Sequence, residues 1–400
     1  MMNADIGQRD LIYFDNAATT PVLSEVIQEM VPYLGNYYGN PSSQHAFGFK
    51  SLRAIEEARR HVACLIGSSP NEITFTSGGT EANNLAIKGS VSRTSINDDS
   101  KNVVLISSSI EHDSVLQPFN SLKALGFNLK FVEVNKEGIV KLESLLEILR
   151  KEKVILVSIM LANNEVGTIQ PIKDLAKITH ENSDALFHCD VVQALGKIPI
   201  DVKHLDIDLL SLSSHKIHGP KGIGAVYSRD RDQLRPLIDG GGQEKSLRSG
   251  TENVHGIVGF GEACRIAAVN LTENYRNVKN LRDHLIDQVL STIPRSYVNG
   301  SLNQRLPNNA HFSFPGVRGE DIIVKLNEYG IAASTGAACS SNKAKPSHVL
   351  QAMGLSLLEI EGSLRLTLGH QNTKFEVEKV VLALEEIIRE LRRHSGFSNN

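Results

Sequence analysis

Lys216 ends the run Ser211-Leu212-Ser213-Ser214-His215-Lys216, which then turns through Gly219-Pro220-Lys221-Gly222. A lysine among small and apolar residues is where a depressed pKa and Schiff-base chemistry become accessible, although most lysines are solvated surface charges. Asp190 ends a second run, Leu186-Phe187-His188-Cys189-Asp190. A carboxylate at the end of a buried strand is costly to desolvate unless a cation meets it, and the plainer reading is a helix cap. A third segment, Thr76-Ser77-Gly78-Gly79-Thr80-Glu81, places small residues ahead of a helix expected to begin near Ala82. Free N–H groups and the positive end of that helix favour a phosphate, and the same residues also suit a simple cap.

Taken together, a phosphate-binding turn, an aspartate and a lysine supply contacts for the phosphate, ring nitrogen and aldehyde carbon of pyridoxal 5'-phosphate (PLP). All three must be delivered to one edge of a sheet. Short apolar runs at Ile73-Thr76, Val103-Ser107, Phe131-Val134, Val154-Met160, Leu186-Asp190, Leu209-Ser213 and Gly224-Ser228 read as seven strands. Amphipathic stretches such as Leu142 to Lys151 and Ile172 to His180 lie between them, so the sheet should be mainly parallel and covered on both faces. Ligands of such sheets gather at the carboxyl ends of the strands. After the glycine-rich Gly240 to Gly250, long helical segments run from Val254 to Ile293. A smaller α+β unit follows, with strands at His311-Phe314 and Leu364-Leu368 and a helix over Glu320 to Tyr329. A closing helix from about Lys374 to Arg393 is opened by the capping box Thr373-x-x-Glu376. The expected division is a large domain over 21–265 and a small domain formed by 1–20 and 266–400.

The chain's 400 residues, 41% hydrophobic and 22% charged, describe an ordinary globular protein. A formal net charge of -3 offers no basic excess for nucleic acid. The four cysteines, Cys64, Cys189, Cys264 and Cys339, form no CxxC pair and no zinc-ligand spacing, so neither a disulfide framework nor a metal site is expected. No apolar run reaches membrane-spanning length and the amino terminus lacks a signal-peptide core, which makes the cytoplasm the expected location.

The ordered motifs resemble those of the cysteine desulfurases of the class V aminotransferase superfamily, which are fold-type I PLP enzymes. The landmarks are Phe14-Asp15-Asn16-Ala17-Ala18-Thr19-Thr20-Pro21, Gly39-Asn40-Pro41-Ser42-Ser43, the Thr76–Glu81 turn, Glu111-His112 and Asn163-Asn164-Glu165-Val166-Gly167. They continue through Asp190-x-x-Gln193, Ser213-x-His215-Lys216, Arg248-Ser249-Gly250-Thr251 and the Cys339 loop. The resemblance implies that Gly79, Thr80, Ser213 and His215 hold the phosphate, joined by Thr251 from the second subunit of a homodimer. It implies that Asp190 pairs with the ring nitrogen, Gln193 bonds the phenolic oxygen, and His112 stacks on the ring and moves protons. Asn164, lying against the cofactor, would bind the substrate carboxylate with Arg365 and Asn40. Independently, Leu364, Leu366 and Leu368 share one strand face and leave Arg365 on the other, where it either meets a ligand or is solvated.

The implied reaction takes sulfur from L-cysteine, with Lys216 carrying the cofactor and serving as the base at Cα. Cys339 receives the sulfur as a persulfide, and L-alanine leaves. Cys64 and Cys264 fall in helical stretches where a thiol is usually a small core residue, and strand alternation turns Cys189 away from Asp190. Only Cys339 sits among small polar loop residues, where exposure and mobility are expected. The segment through Lys345-Pro346-Ser347 resembles the longer-loop desulfurases, implying transfer to a protein acceptor, with iron–sulfur cluster assembly among its uses. Val191, Thr335-Gly336-Ala337-Ala338 and His370, which stands where an arginine often follows Leu-Gly, depart from the commonest pattern. Selenocysteine lyase is the nearest rival reading, and a non-catalytic sulfur-relay subunit a more distant one.

Overall fold

The computed structural model describes residues 11–92, 102–336 and 346–394. Seven strands form the central sheet in the spatial order Ile73–Thr76, Gly224–Ser228, Leu209–Ser213, Leu186–Asp190, Val154–Ser158, Val104–Ser108, Asn128–Val132. Gly224–Ser228 is antiparallel to both neighbours, and every other pairing is parallel. Two reversals cancel, so Ile73–Thr76 points the same way as Leu209–Ser213. The turn after Thr76 therefore opens at the same edge as Asp190 and Lys216.

Helices Gly79–Val91, Asp113–Ala124, Leu142–Lys151 and Ile172–Asn182 cross between parallel strands, because such strands cannot be joined by tight turns. The outermost strand begins at Asn128 rather than Phe131. It lies at the sheet edge with Asn128, Lys130 and Phe131 exposed, so its apolar pattern understates its length. The first crossing helix starts at Gly79, three residues before the expected Ala82.

The main core, with Ile55, Phe187, Leu210, Leu212 and Phe260, lies against this sheet. A second core gathers Ile12 and Phe14 with Leu285, Phe312, Leu364, Leu366 and Leu384. It is built on the antiparallel strands Tyr297–Val298, Asn309–Ser313 and Ser363–Thr367, while Ile12–Tyr13 pairs in parallel with Ile331–Ala332. One helix, Val254–Thr292, supplies Phe260 to the first core and Leu285 to the second. The closing helix, Lys374–His394, buries Val377, Val381, Leu384 and Ile388 on one face. Its capping box is made as the sequence indicates, with Thr373 N–H donating to Glu376 at 2.7 Å and Glu376 N–H to Thr373 at 3.3 Å. No helix among the described residues is long and apolar enough to cross a membrane.

Candidate active site

Lys216 sits in a single 3-10 turn, Ser214–Lys216, directly after its strand. Its Nζ donates to the carbonyls of Ala17 and Ala18, both at 2.6 Å, and Gln193 Nε2 donates to the same Ala17 carbonyl at 3.0 Å. The amino-terminal segment is fastened over this turn, because Thr20 N–H and Oγ1 both donate to the His215 carbonyl. Segments nearly 200 residues apart thus define where the amine stands.

Asp190 is buried, accepting from Asn83 Nδ2 at 2.8 Å and from Val192 N–H at 2.9 Å. No cationic side chain pairs with it among the described residues. A buried carboxylate held only by neutral donors is stabilised further by a cation, and a protonated ring nitrogen is one. Gly79 touches the same place: a Cβ on it would come within 2.9 Å of Val192 Cγ2 and 3.4 Å of Ser213 Cβ. Glycine lets the start of a 13-residue helix abut the ends of two strands, and its first N–H groups have no acceptor within the helix. The residues present therefore fit PLP: the Gly79 turn and Ser213 would suit its phosphate, and the buried Asp190 would suit its protonated ring nitrogen.

His112 caps the Asp113–Ala124 helix, its Nδ1 accepting from Ser114 N–H at 3.1 Å. Ser114 Oγ lies 2.8 Å from the same Nδ1 and itself accepts from Asn83 Nδ2 at 2.8 Å. This pattern places the ring proton of neutral His112 on Nε2. Burial lowers the His112 pKa, the charge of Asp190 raises it and that of Lys216 lowers it, so both groups lie within electrostatic reach of the ring. Asn83 and Ser114 join Asp190 to His112 and were not singled out from the sequence, since a helical Asn and a Ser at a helix start are ordinary caps and surface residues. His215 Nδ1 lies 3.1 Å from Thr19 Oγ1, and burial, followed by repulsion from Lys216, brings its pKa down to about 4.

Arg365 is buried on the face of its strand opposite the leucines, so the solvated alternative does not hold. Its Nη2 meets Asp15 Oδ1 at 2.8 Å, and its Nη1 donates to the Asn164 carbonyl at 2.9 Å. Its Nε is buried with no hydrogen-bond partner among the described residues, a donor suited to an arriving carboxylate. Asn40 is not brought to this pair: it is exposed, and its side-chain oxygen accepts from Ser42 N–H at 2.9 Å. Thr80 and His112 line one cavity of ≈ 290 Å³, whereas Thr251 lines another, of ≈ 260 Å³, with Ser77 and Arg248 of its own chain.

Cys339 lies outside the described residues. Of the other thiols, Cys189 and Cys264 are buried, and burial raises both pKa values far above the usual thiol range. Cys64 does lie in a helix, Ala46–Leu65, but it is exposed and not a core residue. Ala58, Val62 and Ala63 hold the buried side of that helix and turn Cys64 outward.

Glu111, which precedes His112 in the sequence, is fully buried beneath this site. Its Oε1 accepts from Ser108 Oγ at 2.5 Å and from Met160 N–H at 2.9 Å. Burial, reinforced by Asp190, pushes its pKa up to about 8. An acid raised from 4.5 to about 8 on folding costs nothing below the lower value, and its penalty grows as pH climbs to the upper one. Glu111→Gln, which cannot ionise, is expected to exceed the wild type in stability by on the order of 2–4 kcal/mol at pH 9 and to match it near pH 4. Urea unfolding at the two pH values measures the difference; equal stability at pH 9 would show that Glu111 ionises freely.

The class-V aminotransferase family model matches residues 12–380. Cysteine desulfurase IscS of Dictyoglomus turgidum is 46% identical over 386 residues, covering 96% of both chains. Among solved structures, a NifS-like protein is 40% identical with a TM-score of 0.88, spanning 95% of this chain and 100% of its own. SspA in complex with cysteine is 35% identical with a TM-score of 0.79, spanning 90% of this chain and 100% of its own. With the lysine, the aspartate and the glycine turn converging at one sheet edge as they do, the chain belongs to the PLP-dependent cysteine desulfurases of the class-V aminotransferase family.

Proposed function

We propose that this protein removes sulfur from L-cysteine, releasing L-alanine and leaving a persulfide on Cys339 for a protein acceptor. The observation that carries this reading is the buried Asp190 carboxylate, without a cationic partner among the described residues, at the sheet edge where Lys216 is held by the Ala17 and Ala18 carbonyls. Bound PLP supplies a carbonyl carbon that captures the substrate amine and a ring that accepts the electrons released at Cα. Asp190 keeps a proton on the ring nitrogen, and Gln193 lies beside the Lys216 amine to bond the phenolic oxygen. Arg365 Nε, with Asn164 beside it, receives the substrate carboxylate. Lys216 Nζ would remove the Cα proton, and His112, with its proton on Nε2, would carry protons at the site. The Cys339 thiolate attacks the substrate sulfur, so an S–S bond forms as the C–S bond breaks. Enzyme thiol plus cysteine become enzyme persulfide plus alanine, with no outside oxidant or reductant. Cysteine bound to the related SspA structure supports cysteine over selenocysteine as substrate. Equimolar alanine and transferable sulfur from L-cysteine test the reading, and turnover confined to selenocysteine would replace it.

The active unit is a homodimer working in the cytoplasm. Exposed Ile27, Val31, Leu34, Tyr38, Phe47 and Phe49 support a second copy as the cover for this face, since apolar clusters of this kind mark association surfaces. The position of Thr251 beside the Thr76–Ser77 turn, away from the His112 cavity, suits a residue that serves the other subunit. Phe47→Glu is expected to shift the protein from dimer to monomer in light-scattering chromatography and to lower alanine release at least tenfold. A fully active monomer would overturn the dimer.

A further inference from the structure

A cavity of ≈ 150 Å³ opens against Lys216 yet shares no other residue with the expected cofactor and substrate contacts. Its ionisable lining is Lys197, Lys216, His218, His370 and the phenol of Tyr275, and neither Asp nor Glu lines it. Four asparagines, Asn16, Asn270, Asn274 and Asn308, add amide groups. With no carboxylate in the lining, an anion there meets Lys197 as a cation and the histidine and asparagine N–H groups as hydrogen-bond donors.

The arrangement is specific. Lys197 Nζ gives one N–H to the Gln193 carbonyl at 2.7 Å, and an ammonium has three to give. His218 Nδ1 lies 3.0 Å from the Pro21 carbonyl, which leaves Nε2 as the protonation site. The rings of His218 and His370 meet edge to face with centroids 4.4 Å apart. The charges facing these groups are nearly all of one sign. Lys216 acts on Lys197, and Lys197 acts in turn on His215 and His218. Among the described residues the exposed Glu25 is the carboxylate that acts on His370, from outside the lining. Burial, then Lys216, lowers the Lys197 pKa to about 7, and burial, then His370, lowers that of His218 to about 4.

We propose that this cavity binds a small oxyanion of the sulfate or phosphate class, gripped by Lys197 and His370 beside Lys216. The space equals about five waters, enough for one such ion with part of its hydration shell. An anion that requires protonated Lys197 must bring a proton above pH 7, so its affinity tightens as pH falls, by about tenfold between pH 8 and pH 6.

Calorimetric titration of sodium sulfate into the PLP-loaded enzyme, whose phosphate cup is already filled, tests this at both pH values and constant ionic strength. One saturable site per chain, tighter at pH 6, is expected. Lys197→Met should weaken it at least tenfold and flatten its pH dependence, and His370→Gln, altered at an exposed position, should weaken it in a chain whose core is untouched. Acetate is titrated in parallel: acetate binding as tightly as sulfate, with the same Lys197 dependence, overturns the sulfate or phosphate class and assigns the cavity to carboxylates. No saturable heat with either ion, or heat unchanged in both variants while the cofactor absorbance is retained, overturns the site. Turnover is not read, so either outcome leaves the desulfurase reading untouched.

Discussion

Lys216→Ala is expected to lower alanine release from L-cysteine by at least about four orders of magnitude. In the proposed mechanism the variant loses the amine that would hold PLP and, with it, the base at Cα; the two losses act on successive steps, and neither is made good by a neighbour. His112 is neutral with its proton on Nε2, and Lys197 Nζ is engaged in donating a hydrogen bond to the Gln193 carbonyl at 2.7 Å. The Ala17 and Ala18 carbonyls lose a charged donor, which costs about 1–3 kcal/mol of local order and leaves the fold intact. Purified variant should lack the lysine-linked visible absorbance, and added methylamine should restore a small part of the alanine release. More than one percent of wild-type turnover without added amine would mean that Lys216 is not the attachment point.

Cys339→Ser is expected to cost at least about three orders of magnitude in alanine release while the cofactor absorbance stays that of the wild type. A hydroxyl is hardly ionised near neutrality and is a poor nucleophile toward sulfur. The other thiols offer no substitute, because Cys189 and Cys264 are buried with raised pKa values and Cys64 faces outward from the Ala46–Leu65 helix. Cys64→Ser therefore serves as the control and should behave as wild type. Alkylation of wild-type enzyme after a single turnover, followed by mass spectrometry, should find the extra sulfur on the peptide containing residue 339. Persulfide on Cys64 instead would reassign the nucleophile.

Much of this was legible in the sequence because it depends on neighbours along the chain. The β runs ending at Thr76, Asp190 and Ser213, the glycine turn that follows the first and the Thr373–Glu376 capping box are local patterns with local physical causes. Parallel strands joined by helices must then bring such strand ends to one edge, so the sequence alone places Asp190 and Lys216 together. The edge strand Asn128–Val132 is only partly visible as an apolar run, because a strand with one exposed face does not maintain one.

What the tertiary structure alone decided are the partners. Ala17 and Ala18 accept from an amine 199 and 198 residues away, and Asp15 meets Arg365 across 350 residues. Asn83 joins Asp190 to Ser114, Glu111 is held neutral by burial, and Cys64 is turned outward by its place on a helix. Side-chain periodicity reports which face is buried, not what is buried against it. Hydrogen bonds and pKa shifts depend on distance and desolvation, and these exist only once the chain has closed on itself.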